Sequence, residues 1–198
     1  LGTISAASLD VTAGGNVTDS GTVGVAGTTT INAGSNDVTL NTPTNDFGGA
    51  VNVTGGAVTL VDASALELGT ISAASLDVTA GGNVTNTGTL TIAGTTTVNA
   101  GANDVTLNTP TNDFGGAVNV TGGAVTLVDT NAIDLGDVTA GSLSVTAGAA
   151  VTDSGTIAVT GNASFEGSTI TLGDDAGETT NFGSLTFKSV GAVAITED

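Results

Sequence analysis

Short runs of alternating apolar and polar residues, each closed by a small-residue turn, fill the chain. In SLDVTAGG from Ser8, TTTINAGS from Thr28 and AVNVTGGA from Ala50, aliphatic side chains alternate with Thr, Asn, Asp or Ser. A two-residue period is the mark of strands that bury one face. Two further kinds of run lie between these anchors. One contains Val17, then Val38 and Leu40, then Val58 and Leu60. The other contains Val23 and Val25, then Phe47, then Leu66, Leu68 and Ile71. Gly, Asn and Asp cluster between the runs, where sharp bends favour residues that tolerate positive φ. The pattern predicts an all-β chain.

The runs recur at two scales. LGTISAASLDVTAGGNVT starts at Leu1 and again at Leu68, and a looser copy starts at Leu135. Of the 67 positions in the first two copies, 56 are identical. Within each copy the anchors recur about every 22 residues, as Val11, Ile31 and Val53 do, and a slightly longer step leads to Val78. The series continues through Val98, Val120, Val145, Phe165 and Phe187. A unit of this length with three short strands is one coil of a solenoid, because a single coil cannot bury its apolar face without neighbours. The expected fold is a parallel β-helix, right-handed by the crossover preference. It has about nine coils of roughly 22 residues, three coils to each long repeat. Residues 1–198 form one continuous solenoid segment, with long repeats 1–67, 68–134 and 135–198. The rod is about 40–45 Å long at the interstrand spacing of parallel sheets. The competing architecture, tandem β-sandwich modules with one module to each long repeat, leaves the shorter echo unexplained. Leu1 falls inside a repeat and no initiating Met precedes it, so the chain reads as a segment of something longer.

Composition narrows the chemistry. There is no Cys, His, Met, Trp or Tyr, and Lys188 is the only basic residue against 19 Asp plus Glu, a net charge of −18. Thiol or histidine catalysis and Cys/His metal sites are excluded. Nucleic-acid binding is excluded too, since nothing neutralises phosphates. Charged residues are only 10% of the chain, which argues against disorder. Membrane insertion is not expected, because there is neither an apolar run long enough to span nor an aromatic girdle.

Several residues invite a chemical reading. Asp174, Asp175 and Glu178 could supply the paired carboxylates of glycoside hydrolysis. They lie in an irregular insertion without a Tyr, His or Trp, so a solvated turn is the better expectation. Asp37, Asp46, Asp62, Asp104, Asp113 and Asp129 recur at bends, where stacking could gather oxygens for calcium. No repeat-type calcium motif accompanies them, and turn formation, with a charge that keeps rods soluble, is the better expectation. Asn16, Asn52, Asn83, Asn119 and Asn162 begin N-x-[ST] sequons. Thr28–Thr30 and Thr95–Thr97 raise ice binding, but only on one coil in three. Phe47 and Phe114, each after a proline (Pro43, Pro110), are expected to plug the core at a wide corner. No catalytic, cofactor-binding or metal residue is assigned, and neither enzyme activity nor a cofactor is expected.

The run SLDVTAGGNVTNTGTLTIAG, from Ser75 to Gly94, resembles the repeats of filamentous haemagglutinin-type adhesins, and the likeness recurs at Ser8–Gly27 and Ser142–Gly161. The resemblance implies a right-handed β-helical shaft in a long protein that Gram-negative bacteria export by a two-partner route. It implies a role in adhesion, biofilm formation or toxin delivery. The absence of Cys agrees with export of an unfolded chain. The expectation is thus a structural shaft of a secreted or cell-surface bacterial adhesin or extracellular filament. The alternatives are a glycan- or cell-surface-binding β-helix and, behind it, a polysaccharide-degrading one. The partners allowed are copies of itself, assembled into fibres, a host or neighbouring cell surface, and glycans.

Overall fold

The computed structural model describes residues 1–174, Gly177 and 179–198. Among them are 23 strands and no helix. The chain winds as a parallel β-solenoid of about nine turns. Each turn crosses three faces. The first turn lays Ile4–Ala6 on the first face, Leu9–Thr12 on the second and Val17–Thr18 on the third. The next turn stacks Val23–Val25, Thr29–Asn32 and Val38–Leu40 on them, every pair parallel. Inward Val, Leu and Ile from all three faces meet in one continuous core: Ile31, Leu40, Leu60, Leu68, Val78 and Leu107 are each 1% exposed or less. Late in the chain aromatic rings take over part of this filling. Phe165 and Phe182 pack edge to face with centroids 5.6 Å apart.

The strand registers give a different periodicity from the one read off the anchors. Val11 pairs with Ile31 and Ile31 with Val53, as expected, but Val53 then pairs with Ile71 and not with Val78. Val78 belongs to the third face, between Leu60 and Val98. Val145 lies on the first face, between Leu127 and Phe165. On the third face Leu60, Val78, Val98 and Val120 stack in that order, so Val120 stands three turns from Leu60. The residue one long repeat from Leu60 is Leu127, which lies beyond Val120 and on the first face. Three turns therefore fall short of one long repeat, which is three turns plus one face. Equivalent residues of successive repeats sit a third of a turn apart. The tube accepts this rotation because its three faces are built from the same alternating aliphatic strand.

Corner glycines follow from the stacking. A Cβ on Gly81 would sit 2.3 Å from the Ala63 carbonyl oxygen, and one on Gly148 would sit 2.1 Å from that of Thr130. The counterpart Gly14, in the first turn, has open space around it. What excludes a side chain at these corners is the turn beneath. The expected need for positive φ holds at few places, Gly34 and Gly101 among them, and no non-glycine residue adopts it among those described.

Candidate functional site

Polar chemistry concentrates at one corner of each long repeat. In the first repeat Asn45 accepts the Val23 N–H at Oδ1 (2.8 Å) and donates from Nδ2 to Asp19 Oδ2 (2.7 Å). Asp19 also accepts the Asn41 and Thr42 amides, 3.1 Å each, and so pins the NTPTN loop. One turn on, Asp62 accepts the Phe47 N–H at 2.9 Å and, at its other oxygen, the Ser64 N–H at 2.7 Å. Here the ladder of the first face is interrupted, and a carboxylate takes the place of a strand carbonyl.

The same device returns one face further round in each repeat. Asn112 accepts from Leu90 and from Asn86, and Asp129 accepts from Phe114 and Asn131. In the third repeat Asp153 accepts from Gly173 and Thr180, and Glu197 accepts from Phe182. The second copy is imperfect. With Asn86 in place of the acid, Asn86 Oδ1 and Asn112 Nδ2 are buried without partners.

Charge at these corners is perturbed by burial and by donors. Burial pushes the Asp129 carboxyl above its ordinary range, against the amides of Asn131 and Phe114, and nearby Asp113 adds to the rise. Burial likewise raises Asp153, against its hydrogen bonds from Gly173 and Thr180. Burial also acts upward on Asp19, but hydrogen bonds from Asn45, Thr42 and Asn41 outweigh it and hold that carboxyl below the usual range.

The other candidates find structural employment. Asp37 accepts the Ala57 N–H and Asp104 the Ala124 N–H. Asp46 accepts from Ser64 and Asp113 from Asn131. Among the described residues no three metal-ligating side chains converge. Of the sequon asparagines, Asn16 and Asn83 are exposed and Asn52 and Asn119 half-buried, and each takes an amide from the following turn at Oδ1. Asn162 takes the hydroxyls of Ser184 and Thr186. The Thr28–Thr30 and Thr95–Thr97 runs lie on different faces and form no common plane, and the middle residue of each points into the core. Phe47 and Phe114 are buried core plugs, and Pro43 and Pro110 are on the loops before them. Asp175 and Glu178 lie outside the described residues; Asp174 is exposed.

Sequence reasoning missed two features. One is the set of corner staples, although Asp19, Asn45 and Asp62 all recur one repeat later as Asn or Asp. The other is an outward ladder of hydroxyls on the first face: Thr85, Thr106, Thr126, Ser144, Ser164 and Thr186 stand directly over one another.

A family model matches the chain three times, at residues 1–54, 55–121 and 122–186. The chain belongs to the family described as repeats of unknown function, DUF5649. The middle DUF5649 match has the length of the long repeat, so the family unit also spans three turns and one face. No curated protein and no solved structure matches the chain.

Proposed function

We propose that this chain is the structural shaft of a secreted or cell-surface bacterial protein of the adhesin or extracellular-filament kind, exported rather than cytoplasmic and without catalytic activity. The observation that carries the reading is the one-face advance per repeat. It places equivalent residues of successive repeats on successive sides of a continuously packed rod. That arrangement suits a spacer, which must be stiff along its whole length. The acidic surface keeps such rods soluble and apart. Alternation of small aliphatic and hydroxyl residues around Gly-rich corners, shared with haemagglutinin-type repeats, supports the cell-surface setting. Antibodies raised against the chain should label the exterior of intact producing cells or their medium. Label confined to the cell interior overturns the setting, and compact beads in electron micrographs overturn the shaft.

The hydroxyl ladder favours a second reading, a glycan-binding face. Six stacked Thr and Ser side chains make a neutral strip on a protein that is otherwise strongly acidic. Thr126→Lys and Ser144→Lys would then abolish retention on a glycan array while leaving the rod intact. Unchanged or absent retention removes this reading.

A further inference from the structure

Hydrogen bonds between turns run along the axis of the rod, so each turn is tied to the next by three ladders, one on each face. Between the turn that carries Phe47 and the turn that carries Leu66, one of these ladders is missing. The strand Asp46–Phe47 pairs back to Val23–Val25 and closes a three-stranded sheet that, among the described residues, no later strand joins. On the second face Val51 and Val53 pair with Leu68 and Ile71, but the register shifts between those partners. The third face runs through unbroken, with Ala57–Asp62 paired residue for residue to Ser75–Ala80. A cavity of about 240 Å³ lies in the gap, between Phe47 and Gly48 on one turn and Leu66 and Glu67 on the next.

The combination returns one repeat later and one face further round. Asp113–Phe114 pairs back to Leu90–Ile92 and, among the described residues, with no later strand. The next face shifts register between Val118 and Val120, and the face after it is unbroken, with Ala124–Asp129 paired to Ser142–Ala147. A missing ladder, a shifted one and a whole one thus meet at one level twice, in the same order around the rod. A carboxylate and an amide span each gap. Asp62 holds the Phe47 N–H at 2.9 Å, and the Ala63 N–H reaches the Asn45 carbonyl at 2.8 Å. Asp129 holds the Phe114 N–H at 3.0 Å, and the Thr130 N–H reaches the Asn112 carbonyl at 2.8 Å. The apolar filling continues across the first gap, since Phe47 and Leu66 are each 1% exposed. The rod is therefore packed at rest and lacks only main-chain ties at these levels.

We propose that these two levels are yield joints: under load or in denaturant the rod parts there first, on the broken face, while the unbroken face keeps the blocks on either side together. Asp62 and Asp129 are the latches, and a joint opens when its carboxylate releases the phenylalanine amide. The two joints lie on different faces and so open towards different sides. This rests on the rod reading above and adds where the rod gives.

Native-state hydrogen exchange of the unaltered chain, followed amide by amide in rising urea, reads the joints directly. The Phe47 and Ala63 amides should exchange about tenfold faster than those of Asp77 and Thr79, which lie in the unbroken ladder at the same level. Phe114 and Thr130 should stand in the same relation to Ser144 and Thr146. Each fast pair should share one protection factor that falls as urea rises, because parting a joint exposes surface. Asp129→Ala should speed Phe114 and Thr130 further and leave Phe47 and Ala63 unchanged, which general loss of the fold would not do. Joint amides as well protected as those of the unbroken face overturn the proposal. Fast exchange that does not respond to urea overturns it too, since that is fraying of single amides. Either result leaves the shaft reading standing. That reading falls only with the rod itself, to compact beads in electron micrographs.

Discussion

Thr29 and Thr96 are wholly buried, and neither Oγ1 has a hydrogen-bond partner. Their counterpart in the third repeat is Ala163, also wholly buried. A buried hydroxyl without a partner keeps its desolvation cost and gains nothing. Replacing it by the isosteric methyl of Val should therefore stabilise the rod, by about 1 kcal/mol for each of Thr29→Val and Thr96→Val. A raised denaturant midpoint with unchanged slope is the expected result, and a lowered midpoint would show that the hydroxyls are bonded after all. The opposite sign holds at the staples. Asp129→Ala orphans the Phe114 and Asn131 amides at a ladder break and should cost on the order of 2–4 kcal/mol. Asp37→Ala frees one amide at an exposed corner, where water can replace the carboxylate, and should cost well under half as much in the same measurement.

At the scale of strands and turns, the elements themselves were legible. Alternation around Val11, Val17, Val38 and Leu60 placed all of those residues correctly in strands, because a half-buried strand has only one way to arrange its side chains. The step from one turn to the next was not legible between Val53 and Ile71. Local identity ties Val11 to Val78, but stacking depends only on presenting an aliphatic strand of the right length to the turn below, which any of the three faces does. The corner carboxylates were read as turn formers, which Asp62 and Asp129 are. Their grip on the Phe47 and Phe114 amides, a turn away, needed the register. Cysteine pairs separate the two periodicities directly. Thr54 pairs with Ser72, so Thr54→Cys with Ser72→Cys should oxidise to an intramolecular disulfide. Thr54→Cys with Thr79→Cys, neighbours if three coils made one repeat, should stay reduced. Corner glycines test the stacking in another way. Gly81→Ala forces a Cβ against the Ala63 carbonyl and should lower the melting temperature, whereas Gly14→Ala, with open space around it, should leave it unchanged.

For the whole molecule, charge decides how the rod responds to pH. A net charge of −18 on so narrow a body is self-repulsive. Asp129 and Asp153 add a second cost at neutral pH, since both must ionise while buried. Their folded pKa values lie above the unfolded ones, so the folded state binds these protons more readily and the penalty disappears as pH falls through the folded values. Asp19 runs the other way. Its carboxyl is held down by donors, and its contribution is lost only as pH falls below the ordinary carboxylate range. The two trends occupy different windows. Thermal unfolding followed by circular dichroism should show stability rising as pH falls from 7 towards the ordinary carboxylate range, as charge is neutralised and the raised carboxyls take up protons, then falling at lower pH as Asp19 releases the NTPTN loop. Asp153→Asn should flatten the rising limb, and Asp19→Asn should flatten the falling one. A steady decline from pH 7 downward would mean that the staples, and not the repulsion and burial of the carboxylates, dominate the stability of the rod.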